Sequence, residues 1–275
     1  MAYERLGESA LNYSPCRYGA SKLVFRGPPQ RLDGAYVAVL GGTETYGRLV
    51  ERPWPALIGA ATGLRMVNLG CVNAGVDAFL NDPDVLEICR GAQAVVVQAL
   101  GAQNMTNRFY AVHPRRNDRF LRAAPPLRAL FREVDFAEFN FTRHMLSTLQ
   151  RLSPQRFASV VDELRATWLI RTRQLLHLVE RPAVLLWIGA DAPPPAGAPP
   201  RLDLEPLLVD RPSLEQAAQA AAACVEAVER PSERSAGAER LIDAALDPAT
   251  AIGLPGAVAH ADIAQALAPV LRRLV

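Results

Sequence analysis

Long apolar runs, clustered cysteines and a strong excess of one charge are all lacking in this sequence. No stretch approaches the roughly 20 apolar residues that a membrane-spanning helix requires. The first residues, MAYERLGESALNYSPC, carry acidic side chains and no apolar stretch, so they do not resemble a secretory signal. The sequence therefore predicts a cytoplasmic protein with no membrane span.

The four cysteines lie far apart, without a CxxC pair or a cluster of cysteine and histidine. In a cytoplasmic protein this spacing predicts small buried side chains rather than disulfides or zinc ligands. We therefore expect no metal and no other cofactor. The cysteines are Cys16, Cys71, Cys89 and Cys224.

Lysine is nearly absent, because Lys22 is the only one and arginine supplies the remaining basic charge. Lys plus Arg number 30 and Asp plus Glu number 28, which gives a formal net charge of +2. This balance provides no general attraction to nucleic acids or to membrane surfaces. A small molecule is the expected partner, nucleic acid is not, and the oligomeric state stays open.

Several apolar runs are continuous rather than alternating, as in strands that are covered on both faces. Helical segments separate the first three runs, in the order typical of right-handed βαβ units. The predicted strands are 35–40, 66–69, 94–100 and 183–188. The predicted helices are 55–63, 76–90, 153–179, 213–228, 238–246 and 261–274.

This order of elements predicts an α/β protein, a three-layer α/β/α sandwich around a mainly parallel sheet. Residues 1–34 are irregular and are expected to form an N-terminal arm. Residues 35–275 are expected to form a single domain. That domain carries a long basic and aromatic insertion at about 105–150, and loops of that length inside a compact domain are usually functional.

Small polar turns follow each of the first three predicted strands. They read GGTETYG at 41–47, GCVNAG at 70–75 and GAQN at 101–104. In a parallel sheet, ligands bind beyond the carboxyl ends of the strands, where such turns converge. One glycine-rich turn needs only a permissive backbone, but three together predict a functional site.

The three turns resemble the conserved blocks of the SGNH (GDSL) hydrolase superfamily, in the same order and on the same elements. The blocks Gly-Asp-Ser-x-Thr-x-Gly, Asn-x-Gly-x-x-Gly and Gly-x-Asn-Asp match residues 41–47, 68–75 and 101–104. The last block, Asp-x-x-His, matches the region of His260. The resemblance implies an SGNH- or flavodoxin-like sandwich. The chain also resembles an uncharacterised bacterial family of unknown function.

The resemblance implies a role for individual residues, although several differ from the family pattern. Thr43 stands in the place of the nucleophilic serine, and Gly42 in the place of the preceding aspartate. Asn73 matches the glycine whose N–H serves the oxyanion hole, and Gln103, with Asn104 beside it, matches the asparagine donor. Gly42, Asn73, Gln103 and Asn104, with the N–H of Thr43, are the expected ligand and oxyanion contacts.

The resemblance makes His260 the base, but Ala257 stands where the family has its orienting aspartate. Loss of that orientation costs about 10⁴ in rate in a well-studied serine protease. Glu44 and Asp262 are nearby carboxylates in sequence, and Glu44 is also an expected ligand contact. Thr43 has an alternative interpretation as a helix N-cap, which would bond its hydroxyl to the following turn.

A basic and aromatic segment, RFYAVHPRRNDR at 108–119, follows the third turn directly. Arginine suits bidentate recognition of carboxylate, sulfate or phosphate, so the segment is expected to fold over the site. The alternative is an ordinary solvated surface. The predicted anion-binding residues are Arg108, His113, Arg115, Arg116, Arg119, Arg143 and His144.

Together these features predict a divergent SGNH-like hydrolase or acyltransferase. Its substrate would be an ester or acyl group of a small anionic or carbohydrate-linked molecule. The alternative, which the replaced catalytic blocks favour, is an inactive SGNH-like protein that binds a ligand or partner, so the sequence leaves open whether the chain is an enzyme. The arginines also suggest transfer of sulfuryl or phosphoryl groups, but no Walker-type loop accompanies them.

Overall fold

The computed structural model describes residues 11–230 and 254–275, and a five-stranded parallel sheet lies at its centre. Its strands are β1 Val37–Gly41, β2 Met66–Gly70, β3 Ala94–Gln98, β6 Ala183–Gly189 and β7 Ala223–Val228. The spatial order is β2-β1-β3-β6-β7, and every neighbouring pair is parallel. The four strands predicted from continuous apolar runs are confirmed.

Helices cover both faces of the sheet, which confirms the predicted three-layer α/β/α architecture. The helices are α1 Thr43–Tyr46, α2 Trp54–Thr62, α3 Val76–Leu80, α4 Pro83–Gly91, α5 Pro125–Leu130, α6 Thr142–Leu152, α7 Pro154–Leu178, α8 Arg211–Ala218 and α9 Ala257–Leu274. A 3-10 turn spans Phe136–Glu138.

Two apolar clusters, one on each face, hold these layers together. Val37 and Val39 of β1 pack with α2 and α9, whereas Ala38 and Leu40 pack into the cluster that contains α3, α4 and α7. All four side chains are fully buried. This alternation across one strand is why the run is apolar at every position.

The predicted helix 213–228 is wrong, because α8 ends at Ala218 and β7 begins at Ala223. The exposure of β7 alternates along the strand, with Cys224, Glu226 and Val228 exposed and the other three residues half-buried. Residues Ala223 to Val228 form a strand because their backbone pairs with β6 along its whole length. The predicted helix 238–246 lies outside the described residues.

The last helix begins at Ala257, four residues before the predicted start, so His260 lies within its first turn. The long helix α7 is confirmed, and the Ser153 side chain accepts a hydrogen bond from the Arg156 N–H at its start. Ile170 of this helix, an apolar residue that would suit the core, is 65% exposed.

The segment before β1 and the insertion after β3 both contribute side chains to the apolar cluster on one face of the sheet. In the first, Cys16 and Phe25 form an antiparallel bridge, and the Phe25 ring is fully buried in the core. The insertion contains an antiparallel hairpin of β4 Tyr110–Val112 and β5 Phe120–Ala123, which the sequence did not indicate. The division into an arm and one domain stays a prediction.

All four cysteines are free. Cys71 and Cys89 are buried as expected, and burial raises the pKa of Cys71 to about 11, which leaves its thiol unreactive at neutral pH. Cys224 is exposed, so the expectation of burial is wrong there. Within residues 11–230 and 254–275, no helix combines the length and the apolar character needed to cross a membrane.

Candidate functional site

A pocket of about 530 Å³ opens at the carboxyl end of the sheet. Polar residues line it from the turns after β1, β2 and β3, as the sequence predicted for the site's position. The loop after β6 and the end of β7 also line the pocket, which the sequence did not predict. The polar lining residues include Thr43, Asn73, Gln103, Asn104, Arg143 and Glu205.

Thr43 is the first residue of α1, and its hydroxyl bonds to the neighbouring loop rather than to its own helix. The oxygen accepts a hydrogen bond from the Asn73 N–H at 3.0 Å, and the hydroxyl donates to Asn73 Oδ1 at 3.3 Å. Gly42 is the N-cap, without a side chain to cap the helix. The capping interpretation of Thr43 is therefore wrong.

Asn73 has a φ of +57°, in the left-handed region that glycine and asparagine tolerate best. This conformation explains how asparagine replaces the glycine of the resembled block. Its side-chain Nδ2 donates to Asp118 Oδ2 at 3.2 Å. The buried Asn117 accepts from the Gly75 N–H at 2.8 Å, so the tip of the β4–β5 hairpin fixes this loop from outside.

The third turn joins the same network. Asn104 Nδ2 donates to the Asn73 carbonyl at 3.4 Å, and the Thr142 hydroxyl donates to Asn104 Oδ1 at 3.0 Å. Gln103 is 6% exposed, and its side-chain oxygen has no hydrogen-bond partner among the described residues. The structure thus brings Thr43, Asn73 and Gln103 to one rim of the sheet.

Gln98, the last residue of β3, holds the first turn in place and was missed by the sequence analysis. Its Oε1 accepts from the Gly42 N–H at 2.9 Å and from the Thr45 hydroxyl at 2.6 Å. Its Nε2 donates to Glu44 Oε2 at 2.8 Å. One polar residue at the end of the apolar run 94–98 was the signal that could have identified it.

Replacing Gln98 by methionine is expected to lower the free energy of unfolding by about 2 kcal/mol, because Gly42 and Thr45 lose a buried acceptor. Urea unfolding of the purified variant measures the change. The matched control is Gln93→Met, at an exposed position before the same strand, which is expected to change stability by less than about 0.5 kcal/mol. Equal effects in the two variants would contradict the role assigned to Gln98.

His260 does not form a dyad with Thr43. Its Nδ1 accepts from the Trp54 N–H at 3.0 Å, and its Nε2 has no hydrogen-bond partner among the described residues. The ring is fully buried, and this burial, with the charge of Arg26 nearby, lowers the pKa of His260 to about 4.

Neither candidate acid is hydrogen-bonded to His260. Asp262 forms a bidentate pair with Arg230, with both distances at 2.9 Å. Glu44 accepts from Gln98. Of the four histidines, all of which lie in the described part of the chain, none lines the pocket.

The basic segment 108–119 does not supply arginines to the pocket. Arg108 pairs with Glu163 of α7 at 3.1 Å. The guanidinium of Arg119 stacks 4.2 Å from the centre of the Phe141 ring. The turn around His113 is local, because its Nδ1 accepts from two backbone N–H groups of the next residues, both at 3.2 Å. Six predicted anion-binding residues are absent from the described lining: Arg108, His113, Arg115, Arg116, Arg119 and His144.

Arg143 is the one predicted anion-binding residue that reaches the pocket, and it is ion-paired there. Its guanidinium bonds to the Glu205 carboxylate and to the Leu202 carbonyl. Burial raises the pKa of Glu205 to about 7, with the charge of Glu44 adding to the shift and that of Arg143 opposing it. No pattern in the sequence identified Glu205, which follows a proline-rich loop.

Acidic side chains outnumber basic ones in the lining, although Asp203, Glu205 and Asp262 each pair with an arginine. Among the described residues that line it, six are acidic and two are basic. The acidic ones are Glu44, Asp118, Asp203, Glu205, Glu229 and Asp262, and the basic ones are Arg48 and Arg143. In residues 11–230 and 254–275, no three His, Cys, Asp or Glu side chains are grouped as metal ligands would be.

The fold and the pocket define a class, the three-layer α/β proteins with a polar site at the carboxyl edge of a parallel sheet. The whole chain, residues 1–275, matches the family described as "Domain of unknown function (DUF6473)". The chain belongs to this family. The resemblance to a family of unknown function is therefore confirmed, whereas membership of the SGNH (GDSL) superfamily stays a prediction.

Among solved structures, the chain is similar to the crystal structure of the lipase Lip_vut3 from goat rumen metagenome. The two share 10% identity with a TM-score of 0.42, and the match covers 88% of this chain and 97% of the lipase. A likeness at this level supports no inference about activity. No curated protein matches the sequence.

Proposed function

We propose that this protein binds a small polar molecule in the pocket, and that Thr43 contacts the ligand without acting as a nucleophile. A hydroxyl nucleophile needs a base within hydrogen-bond reach, roughly 2.6–3.2 Å. Both hydrogen bonds of the Thr43 hydroxyl go to Asn73, which carries no basic group. These two hydrogen bonds of the Thr43 hydroxyl are the main support for the proposal.

The environment of His260 supports the same proposal. An imidazole that acts as a base must receive a proton, and burial disfavours its charged form. The Nδ1 lone pair already accepts from the Trp54 N–H, and the pKa of about 4 keeps the ring neutral at neutral pH. In this chain His260 joins the start of α2 to α9.

The second candidate is an SGNH-like hydrolase or acyltransferase with Thr43 as its nucleophile. The Asn73 N–H, which lies 3.0 Å from the Thr43 oxygen, favours it because an oxyanion donor belongs close to a nucleophile. Glu44 is the expected base in this version, since its carboxylate lines the same pocket. Transfer of sulfuryl or phosphoryl groups has less support, because Arg143, the predicted anion-binding residue that lines the pocket, is paired with Glu205.

Ester hydrolysis distinguishes the two candidates. Para-nitrophenyl acetate and longer esters are expected to be hydrolysed at the same slow rate by the wild type and by Thr43→Ala, because no base activates the hydroxyl. The measurement is kcat/KM at neutral pH. A drop of 100-fold or more in Thr43→Ala would favour the hydrolase and contradict the proposal, since loss of a nucleophile removes most catalysis.

Binding is tested separately by a thermal-shift screen of sugars, amines and anions. A ligand that binds only the folded state raises the Tm. The shift is expected to shrink in Thr43→Val, which keeps the shape and removes the hydroxyl, and to persist in Thr148→Val on α6, which does not line the pocket. A shift that Thr43→Val leaves unchanged would place the ligand elsewhere.

A further inference from the structure

The hairpin of β4 and β5 presents arginines that the pocket does not use. Arg115 and Arg116 lie in its tip and Arg122 lies on β5, and all three side chains are exposed. None of the three is ion-paired with a carboxylate in the part of the chain that the structure describes. Between residues 108 and 132 the sequence has seven arginines and a single carboxylate, Asp118, which is hydrogen-bonded to the second turn of the pocket. The hairpin is therefore a basic surface on a protein whose formal net charge is only +2.

Two exposed apolar side chains lie beside these arginines. Leu121 is 54% exposed and has no partner in the hairpin register, because the residues on either side of it pair with β4. This bulge leaves both Leu121 and Arg122 exposed, whereas regular alternation along a strand would bury one of them. Phe141 is 43% exposed, and the Arg119 guanidinium lies 4.2 Å from the centre of its ring. Arginine and aromatic side chains are enriched at protein–protein interfaces.

The chemistry of this surface favours an acidic protein segment over a nucleic acid. Arginine bonds carboxylates in a bidentate fork, and Leu121 offers an aliphatic contact that suits an apolar side chain of a polypeptide. The Phe141 ring already carries a guanidinium on one face, which leaves it less available for stacking on a base. The formal net charge of +2 adds little long-range attraction for a phosphate backbone.

We propose that the basic surface of the hairpin binds an acidic segment of a partner protein. Carboxylates of that segment pair with Arg115, Arg116 and Arg122, and an apolar side chain packs on Leu121. The inference goes beyond the proposed function, since these four residues are not among the described residues that line the pocket. The partner lies beside the pocket all the same, because Asn117 in the same hairpin tip is hydrogen-bonded to the second turn at 2.8 Å.

Fluorescence anisotropy with labelled peptides tests the charge complementarity on the wild-type protein. The probe is a short peptide of repeated Glu-Glu-Leu, and its control has glutamine in place of every glutamate. At low salt the acidic peptide is expected to bind about tenfold or more tighter than the neutral control, because three charge-assisted pairs can form. The difference is expected to shrink in about 0.5 M NaCl, which screens exposed charges. Equal binding of the two peptides, or no binding of the acidic one, would overturn the inference.

Two triple variants of equal charge then assign the binding to the hairpin. The first removes the three arginines of the surface: Arg115→Gln/Arg116→Gln/Arg122→Gln. It is expected to bind the acidic peptide about tenfold or more weakly than the wild type. The control removes three exposed arginines of other elements: Arg52→Gln/Arg173→Gln/Arg273→Gln. It is expected to change the affinity by less than about twofold, since distant exposed charges are largely screened. An equal loss in both variants would attribute the binding to net charge and overturn the assignment.

A further comparison separates a protein partner from a general polyanion. Leu121→Ser is expected to weaken binding of the acidic peptide about fivefold, because a leucine of the peptide loses its apolar contact. Ile170→Ser on α7, where the side chain is 65% exposed, is expected to leave the affinity unchanged. Short oligothymidylate and vesicles that contain phosphatidylglycerol are expected to bind more weakly than the peptide. Tighter binding of either, or an unaltered peptide affinity in Leu121→Ser, would overturn the protein partner. These measurements do not involve Thr43, so the proposed function is tested independently.

Discussion

Gly75→Ala is expected to lower the free energy of unfolding by about 3 kcal/mol, the upper end of the usual cost of overpacking. A Cβ atom at this position would lie 1.8 Å from the carbonyl oxygen of Asn104 and 2.7 Å from its carbonyl carbon. Both atoms belong to the backbone, so no side-chain rotation relieves the contact. The second and third turns of the pocket must therefore separate.

Urea unfolding measures the loss of stability, and the control is Gly256→Ala. Gly256 caps α9 with a φ of −78°, and a Cβ added there meets no atom within 4 Å. This control is expected to cost less than about 1 kcal/mol, as alanine costs at an N-cap. Full stability of Gly75→Ala would mean that the turns are not packed against each other as described.

The wild-type protein is expected to lose stability on acidification because of His260. The buried ring has a pKa of about 4, against an ordinary value of 6.5. Between these values the unfolded chain binds a proton that the folded chain does not, so the contribution is fully present above pH 6.5 and declines as the pH falls towards 4. The shift corresponds to about 3 kcal/mol in all, of which about 2 kcal/mol is lost between pH 7 and pH 5.

The measurement is urea unfolding of the wild type, His260→Gln and His177→Gln at a series of pH values. Other groups titrate in all three proteins, so the difference between the curves isolates the imidazole. His260→Gln is expected to lack the 2 kcal/mol decline between pH 7 and pH 5. His177 is exposed on α7, and its variant is expected to follow the wild type. If the free energy of unfolding of His260→Gln fell with pH as steeply as that of the wild type, the lowered pKa of His260 would be refuted.

The predictable part of the fold rests on local apolar runs. Residues 35–40, 94–97 and 183–188 are apolar at every position, and only a strand covered on both faces requires that pattern. β7 was missed because its alanine-rich sequence suits a helix. The strand forms there because β6 offers an open edge, and no local pattern reveals that edge.

The position of the candidate site could be predicted from the sequence, but the charged residues that line it could not. Thr43, Asn73 and Gln103 follow strands that are neighbours in the order β2-β1-β3, so local prediction of three strands located one wall. Glu205 lies far along the chain from them, in a loop without a recognisable motif. The arginines between residues 108 and 119 follow β3 directly, yet their side chains meet Glu163, Phe141 and solvent instead of the pocket.

By itself, the sequence determined that buried parallel strands end in small polar turns, because hydrophobic periodicity and glycine-rich turns are properties of neighbouring residues. Only the tertiary structure decided which side chains face one another there. It directed the Thr43 hydroxyl to Asn73, bonded His260 to the Trp54 backbone, and paired Glu205 with Arg143 at the pocket. The most distant of these residues are 206 positions apart in the sequence. Packing of the whole chain decides such contacts, and no local pattern reveals them.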